Sequence, residues 1–414
     1  MNFVIVGRLF YPQRDPESYC TTRFASALAK AGHVVHVITR EQPQEKYVNS
    51  YPQLVNPRIK VTVIKAPIRY QTHLLSFRWM CVDEMLEAEI SPFINEVKRV
   101  LRTYDAPILI TRSYPWISLY IGWHCRKYAY KWAHHFSDPM IDFGAATKRL
   151  RMSKWLKKLW MRRAMRHADA ISVTCKRVRW YYREQLGPCV DKAKFILATH
   201  IGDFKLGEEK GLGGRGLELG GRRVVFHDGD IYGGRGLQIL EAVKNLNEQG
   251  IAVDFIQGRR VKSESERRKI LSTPHCYILD ENASEELRVL AKAAQVVSFV
   301  ADFSMDGLDY STHLMSKFVY QLFTDKPIVV LAKIESEKHD YCVAYPEAGL
   351  FFADMKEPGA LEAAIKAALA CDPKAIDRNR IRERFSEEHI AAEFIEQLEC
   401  EDRELLKEKW MGRV

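Results

Sequence analysis

The feature that most constrains the fold is a strand, a helix and a second strand at the start of the chain. Residues 2–7, "NFVIVG", form a short apolar run typical of a buried strand. Residues 21–33 carry apolar side chains every three or four positions, which predicts a helix. Residues 34–39, "VVHVIT", predict the second strand. Strands joined through a helix lie parallel, so a ligand crevice is expected at their carboxyl ends.

The same alternation of strands and helices runs through the chain with one interruption. Further strands are predicted at 60–66, 106–111, 169–174, 194–199, 223–229, 252–258, 276–281, 295–301 and 328–331. Later helices are predicted at 236–250, 316–324 and 357–370. The predicted fold class is therefore α/β, with two Rossmann-like domains facing a cleft.

The interruption is a glycine-rich segment that contains G-x-G-x-x-G at Gly211, Gly213 and Gly216. No apolar strand runs directly into it and no amphipathic helix follows, so a flexible linker is favoured over a dinucleotide-binding loop. The predicted organisation is an N-terminal domain at 1–205, a linker at 206–222, a C-terminal domain at 223–385, and a helical tail at 386–414 that crosses back to the N-terminal domain.

The net charge indicates the class of partner that this chain binds, and the cysteine content indicates its cellular compartment. The 414 residues carry a formal net charge of +10, which predicts an anionic partner: a phosphate-bearing ligand, a membrane surface or nucleic acid. No nucleic-acid-binding motif accompanies the charge, so no nucleic-acid partner is predicted. Nine cysteines without a C-x-x-C pair predict reduced thiols in the cytoplasm. The N-terminal apolar run lacks preceding basic residues and indicates a strand rather than a signal peptide.

A lysine at the start of the helix predicted at 316–324 indicates an anion site. Lys317 lies in the first turn, where the helix dipole favours anions over cations. Lysine together with free helix N–H groups can bind a phosphate. We therefore interpret Lys317 as a candidate phosphate-binding residue.

Four segments in this order resemble the GT-B-fold glycosyltransferases, specifically the retaining family 4 group that builds bacterial surface polysaccharides. They are "RFASALAKAGHVVHVIT", "HHFSDP", "HDGDIYGGRGLQILEAV" and "SKFVYQLFTDKPIVV". The likeness covers nearly the whole chain. It implies that the C-terminal domain binds a nucleotide-sugar donor and the N-terminal domain binds the acceptor.

The resemblance assigns the donor's phosphates to two basic residues. In "GDIYGGRG", at 229–236, the closing basic position of the family motif is Arg235, preceded by Gly234. The opening arginine of that motif is replaced here by Asp230. Arg235 and Lys317, with the neighbouring Ser316, are therefore the predicted diphosphate site, and their charges would stabilise the leaving group in place of a metal ion. A solvated loop arginine is the structural alternative for Arg235.

The resemblance also shows where this chain departs from the family. Tyr320 stands where the family usually has the glutamate that binds the ribose hydroxyls, and Thr312 replaces a second acidic residue. Tyr320 can accept one such hydrogen bond where a carboxylate accepts two. The preceding loop offers three carboxylates as substitutes: Asp302, Asp306 and Asp309. Asp306 is the most plausible donor-sugar contact, with a turn-forming Asp-Gly as the alternative.

On the acceptor side, "HHFSDP" supplies His134, His135 and Asp138. The resemblance implies that they orient the acceptor or stabilise positive charge on the sugar, although paired histidines are more often structural. No zinc-binding spacing occurs among the histidines and cysteines, so no metal and no other cofactor are predicted.

Residues 148–167, "KRLRMSKWLKKLWMRRAMRH", combine basic side chains with Trp155 and Trp160. This composition is typical of an interfacial membrane helix, and it predicts a contact with an anionic membrane. A helix that packs on the core and exposes a basic face is the alternative.

The predicted function is transfer of a hexose from a nucleotide diphosphate sugar to a saccharide or lipid-linked saccharide. The predicted location is the cytoplasm, at the inner membrane face. One alternative is a GT-B nucleotide-sugar epimerase, which needs a donor site but no acceptor. The other is a catalytically degenerate scaffold or binding protein, because the glutamate pair is missing.

Overall fold

The computed structural model describes residues 1–7, 10–11, 16–40, 55–65, 87–113, 118–137, 151–202, 222–231, 234–279, 297–302, 314–402 and 406. The backbone of residues 151–157 is described, but among their side chains only that of residue 155 is. The chain divides into two compact units. The N-terminal unit comprises Met1–Ile201 and Ser386–Arg413, and the C-terminal unit comprises Gly202–Phe385.

The N-terminal unit is built on a parallel sheet flanked by helices. Its strands are β1 Asn2–Val6, β2 Val34–Arg40, β3 Lys60–Ile64, β4 Pro107–Ser113, β5 Lys131–Phe136, β6 Ala170–Val173 and β7 Phe195–Leu197. Its helices are α1 Pro16–Lys30, α2 Glu87–Leu101, α3 Ser118–Cys125, α4 Arg151–His167, α5 Val178–Leu186 and, from the returning chain, α12 Glu387–Glu399. The strand order is β3-β2-β1-β4-β5-β6-β7, so the direction of winding reverses between β1 and β4.

The C-terminal unit repeats this architecture. Its strands are β8 Arg223–His227, β9 Val253–Gln257, β10 Cys276–Ile278, β11 Val297–Ala301, β12 Ile328–Ala332 and β13 Leu350–Asp354. Its helices are α6 Gln238–Glu248, α7 Glu264–Ser272, α8 Ser316–Gln321, α9 Glu337–Ala344, α10 Ala360–Ala370 and α11 Asn379–Arg384. The strands are parallel in the order β10-β9-β8-β11-β12-β13, which reverses between β8 and β11.

Each unit has its own apolar core. In the N-terminal unit, Phe3 of β1 and Phe24 of α1 pack with Phe394 of α12. The ring centroids of Phe24 and Phe394 are 5.0 Å apart at near-perpendicular planes, a favourable edge-to-face contact. The returning helix α12 is thus part of the N-terminal core. In the C-terminal unit, β8, β9 and β11 are covered by α6 and α10 through residues such as Phe255 and Ile365.

The predicted α/β class with two Rossmann-like units is confirmed, and each predicted strand has an observed counterpart. Two strands were not predicted: β5, whose sequence "KWAHHF" carries two histidines, and the edge strand β13. Helix α8 is shorter than predicted, because the amides of Phe323 and Thr324 bond to carbonyls three residues back rather than four. The segment predicted as a linker falls almost entirely outside the described residues. Among the described residues, no helix is long and apolar enough to span a membrane.

Candidate functional site

The carboxyl ends of β8 and β11 meet where the C-terminal sheet reverses its winding. In open parallel sheets this is where ligands bind, because the loops leave the two strands in opposite directions. The loop after β8 carries Asp228, Asp230 and Arg235, and the residue after β11 is Asp302. The predicted phosphate-binding arginine is therefore at the position that the topology favours.

Arg235 bridges the two strands at this point. Its Nε donates to the carbonyl oxygen of Ala301, the last residue of β11, at 2.7 Å, and a second guanidinium nitrogen contacts the Met315 sulfur. Arg235 is 6% exposed, which argues against the solvated-loop alternative. Gly234 and Gly236 on either side have φ of 76° and 70°, a backbone conformation that side chains other than glycine rarely adopt. The glycines thus shape the loop that turns Arg235 into the unit.

Lys317 lies near enough to Arg235 for the arginine charge to affect its pKa. Burial is the main cause that lowers the pKa of Lys317 from 10.5 to about 8, and the positive charges of Arg235 and Arg259 contribute to the lowering. Asp228 and Asp230 oppose this shift by raising the pKa. Two basic residues that are distant in sequence thus lie in one partly desolvated region, where an added anion would relieve their mutual repulsion.

Gln257, at the end of β9, ties together the loops that follow β8 and β9. Its side-chain amide donates to the carbonyl oxygens of Gly229 at 2.6 Å and Arg259 at 2.9 Å, and its oxygen lies 2.8 Å from His227 Nδ1. Arg259 in turn donates to Asp228 at 2.7 Å. Sequence reasoning missed these residues, although "HDGD" and "QGRR" both lie at the carboxyl ends of predicted strands.

His227 is held neutral at the base of this network. Burial, followed by the charge on Arg235, lowers its pKa to about 3. Its ring also leaves no room for a side chain at position 229, since a Cβ there would lie 2.4 Å from His227 Nε2. His227 is therefore a packing element under the loop rather than a proton donor at neutral pH.

Asp302, predicted as a possible substitute for the ribose-binding glutamate, is buried in an ion pair. Its carboxylate lies 3.0 Å from Lys338 Nζ, and the two side chains are 3% and 0% exposed. Burial raises the pKa of Asp302, while Lys338 and then Arg235 lower it. Asp302 is thus a buried carboxylate with Lys338 as its counter-ion, and the charge of Arg235 also acts on it.

The remaining donor-site candidates are placed only in part. Ser316 and Tyr320 lie on α8 with Lys317 and are half-buried. Asp306 and Asp309 lie outside the described residues, as does Asp138 on the acceptor side. Their predicted roles stay predictions.

In the N-terminal unit, the two predicted histidines are buried within β5. His134 is 0% exposed and lies 2.8 Å from the Thr111 hydroxyl, and burial lowers its pKa to about 3. His135 lies 3.0 Å from the Ser172 hydroxyl, and burial, followed by the charge on Arg112, holds its pKa well below 6.5. Both imidazoles are therefore neutral at physiological pH.

Arg112, Glu17 and Ser137 form a polar cluster at the carboxyl edge of the N-terminal sheet, which sequence reasoning did not find. Arg112 Nε lies 3.4 Å from Glu17 Oε1, and the Ser137 hydroxyl lies 3.0 Å from the same oxygen. The Arg112 guanidinium also stacks 5.5 Å from the Phe24 ring centroid. A carboxylate, a guanidinium and a hydroxyl can together donate to and accept from the hydroxyls of a saccharide.

The predicted membrane helix is α4, and it packs on the N-terminal unit through Met161, Ala164 and Met165. Two of its basic residues bind the protein itself: Lys158 donates to Gln185, and Arg162 donates to the Leu186 carbonyl. These contacts agree with the alternative of a core-packed helix.

The same helix also presents aromatic and basic side chains at its surface. Trp155 is 58% exposed. Trp160 packs edge-to-face on Tyr120 with centroids 5.1 Å apart, and Arg163 lies 4.5 Å from the Trp160 centroid. Core packing and an exposed tryptophan therefore coexist on α4.

Among the residues that the structure describes, no cluster of three His, Cys, Asp or Glu side chains is suited to a metal ion.

Comparison with known proteins identifies related folds. Residues 18–197 match the model of the glycosyl transferase 4-like domain. No curated protein gives a significant match. Among solved structures, Anabaena HepE in complex with UDP-glucose is 14% identical, with a TM-score of 0.60 over 96% of this chain and 99% of that chain.

Two further solved structures are similar to this chain over nearly the whole length of both chains. A glycosyltransferase from Rickettsia africae is 11% identical, with a TM-score of 0.59 over 100% of this chain and 99% of its own. A sucrose-phosphate synthase from Thermosynechococcus elongatus is 16% identical, with a TM-score of 0.56 over 99% of both chains. The chain therefore has the two-unit, parallel-sheet fold of the GT-B glycosyltransferases, and the part of it that resembles the glycosyl transferase 4-like domain lies in the N-terminal unit.

Proposed function

We propose that this protein is a glycosyltransferase that moves a sugar from a nucleoside diphosphate sugar to a saccharide or lipid-linked saccharide. The observation that carries the proposal is the buried Arg235, bound to the end of β11 at the switch point of the C-terminal sheet, whose charge acts on the desolvated Lys317. The match of the N-terminal unit to a glycosyl transferase 4-like domain supports it. So does the fold that the chain shares with a protein solved in complex with UDP-glucose.

The proposed chemistry is electrostatic. Breaking the bond between the sugar and the diphosphate leaves additional negative charge on the departing phosphate, and preorganised cations stabilise that charge. Arg235 and Lys317 supply those cations in a partly desolvated site, where their effect is larger than in water. In this proposal no metal ion takes part. Retention of configuration and a role in surface polysaccharide synthesis are further parts of it, which the resemblance to family 4 suggests.

We assign the acceptor to the N-terminal unit. Glu17, Arg112 and Ser137 offer hydrogen-bonding groups for its hydroxyls, and His135 is the neighbour of Arg112 in the register of β4 with β5, where the Arg112 charge acts on its ring. Because His135 is neutral, its proposed contribution is to position these groups rather than to transfer a proton.

The donor site is tested by calorimetry with uridine and guanosine diphosphates. Arg235→Gln and Lys317→Gln should each raise the Kd about 10- to 150-fold, which corresponds to the loss of a charge-assisted contact of about 1.5–3 kcal/mol. Lys244→Gln is the matched control, since its exposed side chain on α6 pairs only with Glu248 among the ion pairs observed. A parent chain that binds neither nucleotide, or two variants with unchanged affinity, would refute the proposal.

The proposed location is the cytoplasm, with peripheral attachment to an anionic membrane through α4. Insertion of Trp155 would add an apolar term to the attraction between basic residues and acidic lipids. Trp155→Ser should therefore weaken sedimentation with phosphatidylserine-containing vesicles at high salt. Trp180→Ser is the control, because Trp180 is comparably exposed, at 51%, but lies on α5. Equal binding by both variants and the parent would remove the membrane from the proposal.

A further inference from the structure

The helix that carries Lys317 is held at its C-terminal end by an arginine from much later in the chain. Arg378 is 3% exposed and donates from Nε to the Ala348 carbonyl at 2.7 Å. Its other nitrogens donate to the carbonyl oxygens of Lys326 at 2.6 Å and of Thr324. Gln321, the last residue of α8, has its carbonyl oxygen 3.5 Å from the same guanidinium. The buried Arg378 guanidinium thus donates hydrogen bonds to several carbonyl groups at the end of α8 and in the turn that follows it.

A second arginine, on α11, completes this arrangement. Arg382 donates from Nε to the Leu322 carbonyl at 2.9 Å, and from a terminal nitrogen to the Thr324 carbonyl at 2.8 Å. It also reaches the Asp325 carboxylate at 3.1 Å and lies 5.9 Å from the Phe323 ring centroid. The last carbonyls of a helix lack partners within the helix, and cations near that end are favourable. Arg378 and Arg382 therefore serve as the C-terminal cap of α8.

The C-terminal unit begins at Gly202, which lies against this helix. The Gly202 amide, at the start of the C-terminal unit, donates to the carbonyl of Phe385, its last residue, at 2.9 Å. A Cβ at Gly202 would lie 2.1 Å from the Phe323 ring and 2.8 Å from Val319, so the backbone itself touches α8 and the turn after it. Arg382 lies on the same short segment that ends at Phe385.

We propose that Arg378 and Arg382 are positioning residues for the donor site: they fix α8 to residues 378–385, the last segment of the C-terminal unit, and thereby hold Lys317 in place. The helix has only six residues, too few to be stable by itself, so its position depends on such external contacts. The inference rests on the proposed function, since it gives the two arginines a role through the phosphate-binding lysine.

A double-mutant cycle distinguishes this role from a general effect on folding. Arg382→Gln should raise the Kd for uridine diphosphate about fivefold to tenfold in the parent chain, and less than about twofold in a Lys317→Gln background. Arg380→Gln is the matched control, since Arg380 lies on the same helix with a side chain that is 71% exposed and bound to Glu347. It should change the Kd less than about twofold in both backgrounds. An equal fold-change for Arg382→Gln in both backgrounds, or no change in either, overturns the inference.

Hydrogen exchange tests the same arrangement without a ligand. Arg382→Gln should speed exchange of the amides of residues 318–324 about tenfold, with β8 and β9 unchanged. If that variant does not fold, Arg382→Lys replaces it: it keeps the charge but loses the planar fork, and the same acceleration is expected. Unchanged exchange over residues 318–324 overturns the inference whatever the nucleotide result. A parent chain that binds no nucleoside diphosphate instead refutes the proposed function, while the exchange pattern still decides whether the arginines hold α8.

Discussion

Raising the pH from 7 to 9 should weaken nucleoside diphosphate binding to the C-terminal unit about tenfold, because Lys317 loses its proton over this range. With a pKa of about 8 in the free protein, Lys317 is charged in about nine-tenths of molecules at pH 7 and about one-tenth at pH 9. The free lysine is held at this value by burial, with Arg235 and Arg259 lowering its pKa and Asp228 and Asp230 raising it. A bound diphosphate favours the charged form, so binding is coupled to proton uptake.

Calorimetry in buffers of different ionisation enthalpy measures that uptake directly. At pH 8, about half a proton should be taken up per nucleotide bound, since about half of the free lysines are then neutral. The neighbouring His227 does not contribute, because burial and the charge on Arg235 keep its pKa at about 3. The tenfold change in Kd corresponds to about 1.4 kcal/mol, which is close to the lower end of the roughly 1.5–3 kcal/mol expected for losing one charge-assisted contact.

Lys317→Arg is the control, because a guanidinium stays protonated throughout this range. Its Kd should therefore be nearly constant between pH 7 and 9. An equal Kd at pH 7 and 9 in the parent chain would show that Lys317 does not contact the phosphates. The same pH dependence in Lys317→Arg would place the titrating group elsewhere.

Three further changes have expected outcomes. Arg259→Gln should raise the Kd for uridine diphosphate about threefold to tenfold through its lost charge, whereas the exposed Arg260→Gln should leave it unchanged by calorimetry. Lys338→Met should lower the free energy of unfolding in urea, followed by circular dichroism, by about 3–5 kcal/mol, because it leaves Asp302 buried without its counter-ion; an added Asp302→Leu should restore most of the loss. Lowering the pH from 7 to 5 should lower the free energy of unfolding of the N-terminal unit by about 2 kcal/mol through His134. The pKa of His134 is about 3 in the folded chain and 6.5 in the unfolded chain, so stability is lost as the pH falls below 6.5. His134→Gln should show a smaller loss, measured by tryptophan fluorescence.

The strands were predictable because buried parallel strands are short and continuously apolar, as in β1 and β12. Strand β5 was missed because His134 and His135 interrupt that pattern. In the fold both rings are buried all the same, because the hydroxyls of Thr111 and Ser172 on the neighbouring strands bond to them. Sequence periodicity cannot show that pairing, since it depends on which strands become neighbours.

The candidate site was predictable only where one residue sits in a local motif. Arg235 was predicted from the resemblance to a family motif, and Lys317 from its place in the first turn of a helix. Gln257 and Arg259 do not, because their roles arise from the register of β8 with β9, which sets His227 opposite Gln257. The role of Arg382 could not be predicted from a local motif either, since it caps a helix about sixty residues earlier in the chain.

The return of α12 to the N-terminal unit has a consequence for biosynthesis. Phe394 packs against Phe24 and Phe3, and Gln397 accepts a hydrogen bond from the Leu197 amide at 2.7 Å, so the first half of the chain lacks part of its core until the last part emerges. At roughly 5–20 residues per second, the ribosome needs on the order of 10–40 s to synthesise the C-terminal unit in between. During that interval Phe3 and Phe24 lack the partner that Phe394 later supplies, so apolar surface beside α1 would be left uncovered. The C-terminal unit, whose residues are continuous in the chain, can fold while the N-terminal unit still waits for its last helix.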